Sequence, residues 1–360
     1  MGQFAFMLHP LDLSYVIHQY PVTRYIPEGI LKWVLKHAPP LKLSHITGIE
    51  SELGSAEGHF IACLLTSRQI LELPEELVMQ KIIDAGRLAE KQGAKIIGLG
   101  AFTAVVGGAG EQLADRLDIA VTTGNSYTVA TALEGTRQAV DFMDYDLLET
   151  DMAIVGATGS IGQVCAEIMA REVQELTLIA RNETRLKALR DRILTSTGLS
   201  ARISTDVESG VRRSDVVIAV SSAAEAIIHP DFLKPGAIVC DVARPRDVSK
   251  RVSDSRDDVL VIEGGVVGVP GEVDFGLDFG VPPGTCMACM AETMVLAMEE
   301  RYENFTTGRD LTVEQVDEIN RLAKKHGFKL AAFRAFESAL TEKDLKDIKR
   351  KASKRRKQQF

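Results

Sequence analysis

The stretch Met152-Ala-Ile-Val-Gly-Ala-Thr-Gly-Ser-Ile-Gly162 decides the fold of this 360-residue chain. An apolar run from Met152 to Val155 passes directly into glycines at 156, 159 and 162. The run predicts a buried strand, the glycines a tight turn, and Ser160–Arg171 a helix that starts at the turn. Without side chains in the way, the turn can bring its backbone close to a pyrophosphate, and the helix N-terminus stabilises that negative charge. Gly156, Ala157, Thr158, Gly159, Ser160, Ile161 and Gly162 are therefore the candidate cofactor-binding turn. A glycine turn can also serve packing alone, but here strand, turn, helix and a second strand fall in the order a dinucleotide site needs.

Working outward, short apolar runs recur at 152–157, 176–181, 215–222, 237–243 and 259–265. Segments of helical length separate several of them, the mark of βαβ units. The expected fold is α/β: a Rossmann-like, doubly wound parallel sheet, with an N-terminal α/β substrate domain and C-terminal helices. The second strand ends Ile179-Ala-Arg-Asn182, with Arg185 a turn later. An acidic residue there suits the free ribose of NADH, whereas arginine suits a 2′-phosphate. Arg181, Asn182 and Arg185 thus predict NADPH. Val220 and Ser221, ending a later strand, are expected at the nicotinamide-side ribose, because ligands sit at the carboxyl ends of such strands.

The length predicts more than one domain. The expected boundaries are 1–150 for a substrate-binding domain, 151–281 for the NADP domain, 282–340 for C-terminal helices, and 341–360 for a basic tail. Periodicity predicts helices over 75–92, 128–143 and 312–326, the last opened by the capping pattern Thr312-Val-Glu-Gln315. Formal net charge is −8, yet residues 343–360 hold nine Lys/Arg against two Asp, so the body is strongly acidic. Such a body argues against a nucleic-acid binder. The tail reads as a frayed helix or as disorder, and could attract an acidic carrier protein or the surface of an anionic membrane. No run is long and apolar enough to span a bilayer, and the first residues lack a leader pattern. Five cysteines without framework spacing predict a reducing, cytoplasmic setting.

The segment Thr285-Cys-Met-Ala-Cys-Met-Ala-Glu-Thr-Met294 opens an almost wholly apolar helix. With Thr285 as N-cap, Cys286 and Cys289 would share the first turn, where the thiolate is favoured. A thiol there, with a dinucleotide fold, suggests covalent capture of an acyl group and its reduction. A metal half-site, a redox dithiol and plain core packing are the alternatives; Cys63, Cys165 and Cys240 supply no second pair with zinc spacing. Glu292, three residues after Cys289, is a carboxylate in an apolar helix, a candidate general acid/base or ion-pair partner. Thr122-Thr-Gly-Asn-Ser-Tyr-Thr128 can present backbone N–H groups and Asn125 to a developing oxyanion, and equally resembles a helix cap. Tyr127 is a candidate proton donor, or a packing residue. The seven histidines show no metal-ligand spacing.

Several motifs occur together in one order: Leu99-Gly-Ala-Phe-Thr103, Thr122-Thr-Gly-Asn-Ser126, the turn 155–162, Gly264-Gly-Val-Val267, Ala288-Cys-Met-Ala-Glu292 and Asn304-Phe-Thr-Thr-Gly-Arg309. On these, residues 1–330 resemble the long-chain acyl-[acyl-carrier-protein] reductases of cyanobacteria. That resemblance implies NADPH-dependent reduction of a fatty acyl thioester, on acyl carrier protein or CoA, to a fatty aldehyde that a downstream enzyme could consume. It also implies that the nucleophile is Cys289, with Cys286 a packing neighbour. The chain departs from the family pattern at Ser126-Tyr127, where Thr-His is expected, after Val267, and in the basic tail. A shikimate- or glutamyl-tRNA-reductase-type dehydrogenase and an NADPH-sensing regulator are the rival readings.

Overall fold

The computed structural model describes residues 1–223, 225–243, 245–336 and 338–358. The chain divides into two compact units, one of residues 1–127, 267–311 and 317–329, the other of 128–266, 312–316 and 330–360.

The first unit is built on strands β1 (Gly2–Leu8), β2 (Leu41–Ser51), β3 (Gly54–Ala62), β4 (Ile96–Leu99) and β5 (Ala120–Thr122), in the order β2-β3-β1-β4-β5. All neighbours pair in parallel except the β2–β3 hairpin. Helix Glu75–Lys91 lies on this sheet through Val78, Met79, Ile82, Ile83 and Ala89, a stripe at helical spacing that joins the core with Met7, Ile61 and Ile97. Its sequence-predicted span was 75–92. Helix Ala288–Met298 packs on β1, β3 and β4, and every residue from Met290 to Met298 is buried. An all-apolar helix needs such a site, since no face of it gains from water. The segment 282–340, expected as a separate C-terminal module, is instead shared between the two units.

The second unit carries strands β6 (Asp151–Val155), β7 (Glu175–Ile179), β8 (Arg202–Ser204), β9 (Val216–Ala219), β10 (Ile238–Asp241) and β11 (Leu260–Glu263). Their order, β11-β10-β9-β6-β7-β8, is that of a doubly wound dinucleotide fold, and every pair is parallel. The α/β, Rossmann-like fold class expected from the sequence is thus the observed one. Strand direction of growth reverses at β6, so the switch point lies between β6 and β9.

The tail is not frayed. Residues Glu342–Arg356 form a helix opened by a capping box between Thr341 and Asp344. Lys349 pairs with Asp144, Lys351 with Asp257, and Arg355 with both Asp257 and Asp258. Arg356 covers the ring of Tyr145 at 4.2 Å. Acids of the same unit thus neutralise these cations. The last two residues of the tail lie outside the described residues.

Candidate functional site

In the second unit, the turn after β6 has the geometry of an anion cradle. Gly156 has φ +86°, and a Cβ there would stand 2.8 Å from the Cα and N of Ser221. A Cβ on Gly162 would meet the Gly156 carbonyl oxygen at 2.3 Å. Both positions exclude any side chain, so the turn stays tight and its backbone bare. Helix Ser160–Met169 follows, with Gly159 as N-cap and no capping side chain, which leaves the helix start suited to a pyrophosphate. Ala157 is buried, whereas Thr158, Ser160 and Ile161 are partly accessible.

Beyond β7, Arg181 and Arg185 are exposed, and among the described residues neither has an ion pair, although Lys187, Arg190 and Arg192 on the same helix are paired. Asn182 caps helix Glu183–Thr197, its Oδ1 accepting the Arg185 N–H at 3.0 Å. Val220 and Ser221 directly follow β9, at the switch point. The Ser221 N–H and hydroxyl both donate to Asp247, at 2.8 and 2.5 Å. Burial pushes the Asp247 carboxyl up to about 6 against the pull of those bonds. Nothing in the sequence pattern marks Asp247, because its partner lies 26 residues earlier in a different loop.

The thiols are in the first unit, arranged differently from the sequence expectation. Thr285–Met287 is a strand, and the helix starts at Ala288 with Met287 as N-cap. Thr285 is not the cap; its hydroxyl donates to the Pro282 carbonyl at 2.7 Å. Cys286 therefore sits on the strand and Cys289 is the second helical residue, so they share no helix face. Cys63, Cys165, Cys240 and Cys286 are buried, while Cys289 is partly accessible. Burial raises the Cys63 thiol to about 11. It raises the Cys286 thiol well above its ordinary range, with Cys289 adding to the effect. Those thiols are poor nucleophiles, because the thiolate is the reactive form.

Glu292, one turn after Cys289, is fully buried. Its Oε1 accepts the hydroxyls of Thr122 and Thr306, at 2.5 and 2.7 Å. Its Oε2 accepts the Ser126 hydroxyl at 2.6 Å and the Tyr127 N–H at 2.9 Å. Four donors compensate for the burial of the carboxylate. The Asn304-Phe-Thr motif has a matching explanation. The Asn304 side chain accepts the Val121 N–H at 2.8 Å, and the Thr306 carbonyl accepts the Thr123 hydroxyl at 2.5 Å. Thr122, Thr123, Asn304 and Thr306 are thus site-forming residues that the sequence does not single out, though the motifs containing them are visible in it.

These bonds press the turn after β5 onto Cys289. Gly124 has φ +75°, and a Cβ there would lie 2.3 Å from both Cα and Cβ of Cys289. Helix Asn125–Phe142 starts at the next residue, with Asn125 partly accessible and Tyr127 only 3% exposed. Gly124→Ala combines left-handed strain with a backbone clash. We expect it to destabilise the chain by about 2–4 kcal/mol and to slow alkylation of Cys289, read by thermal melting and by thiol labelling of the folded protein.

His9 is not a base for Cys289 chemistry. Its Nε2 accepts the Phe102 N–H at 3.1 Å, and burial lowers its pKa to about 4. Among the described residues, no group of three or more His, Cys, Asp or Glu could hold a metal ion. No helix among them is long and apolar enough to cross a membrane.

Comparison with known proteins agrees with the dinucleotide fold. Residues 138–262 match the family model described as shikimate/quinate 5-dehydrogenase. The chain is 33% identical over 267 residues to aminotransferase PigE of a Serratia species, covering 72% of this chain but 31% of that protein. It thus spans under a third of that relative. It is 27% identical over 326 residues to a long-chain acyl-[acyl-carrier-protein] reductase of Synechococcus elongatus, covering 84% of this chain and 91% of that one. Among solved structures, quinate dehydrogenase of Corynebacterium glutamicum in complex with NAD aligns at 14% identity with a TM-score of 0.33, over 71% of this chain and 84% of that one. Fold and glycine turn make the second unit an NAD(P)H-binding domain, similar over residues 138–262 to the shikimate/quinate 5-dehydrogenase family.

Proposed function

We propose that this chain is an NAD(P)-dependent oxidoreductase that uses NADPH to reduce a fatty acyl thioester to the aldehyde through an acyl–Cys289 thioester. The observation that carries this reading is Cys289 itself. It is the accessible one among five cysteines, in the first turn of a helix, held against the turn Thr123-Gly124-Asn125. The similarity to the Synechococcus acyl-[acyl-carrier-protein] reductase over nine-tenths of that protein supports the same substrate class.

In this account the Cys289 thiolate attacks the acyl carbonyl, forming a C–S bond. The tetrahedral oxyanion is stabilised by N–H groups at the start of helix Asn125–Phe142 and by the Asn125 side chain. Its collapse breaks the bond to the carrier sulfur, which leaves as a thiolate and is then protonated. Gly156–Gly162 would hold the pyrophosphate, Val220 and Ser221 would border the nicotinamide-side ribose, and Arg181 and Arg185 would take the 2′-phosphate. When bound, the cofactor would supply the hydride that takes the Cys289 thioester to the aldehyde, with Cys289 leaving as thiolate. In this account Glu292 orients the turn rather than moving protons, since both its oxygens already accept from buried donors around it. In this account the Tyr127 hydroxyl is the candidate proton donor.

Arg181→Ala is expected to raise the KM for NADPH about 10-fold or more, the value of a charge-assisted bond, and to leave that for NADH nearly unchanged. Steady-state kinetics with both cofactors checks this; equal effects would return Arg181 to the surface. The family match at 138–262 favours a second reading, a hydroxy-acid dehydrogenase. Cofactor turnover with acyl carrier protein thioesters, acyl-CoA, shikimate and quinate, assayed side by side, separates the two. Turnover on a thioester supports the proposal, turnover on the hydroxy acids alone replaces it, and nucleotide binding without turnover on any of them would indicate a sensor.

A further inference from the structure

We propose that residues 13–42 form a membrane-contact surface that seats this protein in the headgroup layer of an anionic bilayer. Helix Leu13–Gln19 and the 3-10 turn Pro21–Tyr25 bury no residue at all. Helix Glu28–His37 buries Leu31 and Leu35 on one side. On the other it presents Ile30 and Trp33, 55% and 62% exposed, while the preceding segment presents Tyr20, Val22 and Tyr25 at 48%, 72% and 79%. An apolar segment with no buried face gains little from water and still bears the entropy of ordering. A cover outside the chain would supply the missing burial.

The chemistry of the patch selects the cover. Its cations are Arg24, Lys32, Lys36 and Lys42, against the single acid Glu28, in a chain whose net charge is −8. That local reversal of sign matches an anionic surface. An acidic protein would be met mainly by cations, but here large apolar side chains outnumber them and Lys32 is already paired with Glu28 at 2.5 Å. Tryptophan and tyrosine beside lysine and arginine are the side chains that settle at the level of lipid headgroups. A ten-residue helix cannot span the bilayer, so it lies in the interface plane. The basic tail is a weaker contact, because many of its cations pair with acids of their own unit.

Trp33 is the chain's one tryptophan and therefore reports on this surface alone. The full chain, without substrate or cofactor, is titrated with phosphatidylcholine vesicles with and without phosphatidylglycerol, following emission and co-sedimentation. The result expected is a blue shift and protection from acrylamide with the anionic vesicles, reversed at high salt. Lys36→Glu should lower the anionic preference several-fold. Val22→Ser with Ile30→Ser should lower partitioning about tenfold or more at unchanged circular dichroism. Unchanged emission with both vesicle types would overturn the proposal. So would a concentration-dependent dimer that shields Trp33 and fails to bind vesicles, since a second copy would then be the cover. Neither result bears on thioester reduction, so the two proposals fail separately.

Discussion

Cys289→Ala is expected to abolish acyl capture and to lower kcat/KM for thioester reduction by about 10³-fold or more, the scale on which a nucleophile is lost. The contrast with its neighbour makes the prediction specific. Cys286 sits on the strand Thr285–Met287, fully buried, with a thiol held far from ionisation. Cys286→Ala removes a small buried group and should change kcat/KM by no more than about threefold while costing roughly 1 kcal/mol of packing. A redox dithiol would require both residues, and the two substitutions would then have equal effects. Steady-state kinetics of the pair decides between these accounts.

The second large effect is expected at Glu292. Glu292→Leu leaves the Tyr127 N–H and the hydroxyls of Thr122, Ser126 and Thr306 without their acceptor in a buried site. The hydroxyls can turn toward other oxygens, but the N–H is fixed by the backbone. A cost of about 3 kcal/mol or more follows, a fall in Tm of roughly 6–12 °C for a chain of this size. Activity should fall further than stability, because the same bonds hold Gly124 against Cys289. Glu292→Gln keeps one acceptor oxygen and turns the other position into a donor, so its melting temperature should fall between those of the leucine variant and the wild type. A glutamine variant with wild-type stability and no activity would instead make Glu292 a proton-transfer group.

The dinucleotide unit was legible because its information is local. Met152–Gly162 states strand, turn and helix within eleven residues, and the later strands other than Arg202–Ser204 are short apolar runs. Arg202–Ser204 was missed because its only large apolar residue is Ile203 and three residues carry no period. The site around Cys289 was legible only as separate motifs. Glu292 meets Thr122 and Ser126 across 170 and 166 residues of chain, and no periodicity connects them. The helix start was misplaced by two residues, N-cap Thr285 expected against Met287 observed, for a physical reason. Thr285 resembles an N-cap in sequence, but its segment is drawn into a three-stranded sheet with Val266–Gly268 and Lys329–Leu330. The tail misled in the same way, since Asp144, Asp257 and Asp258 lie far from it in sequence.

The most direct test of the account uses the protein without NADPH. The chain is mixed with a fatty acyl thioester, quenched, and its mass and peptide map recorded. The account predicts one acyl group per chain on the peptide holding Cys289, absent from Cys289→Ala and retained in Cys286→Ala. No adduct on the wild type, or equal adduct on Cys289→Ala, would contradict it.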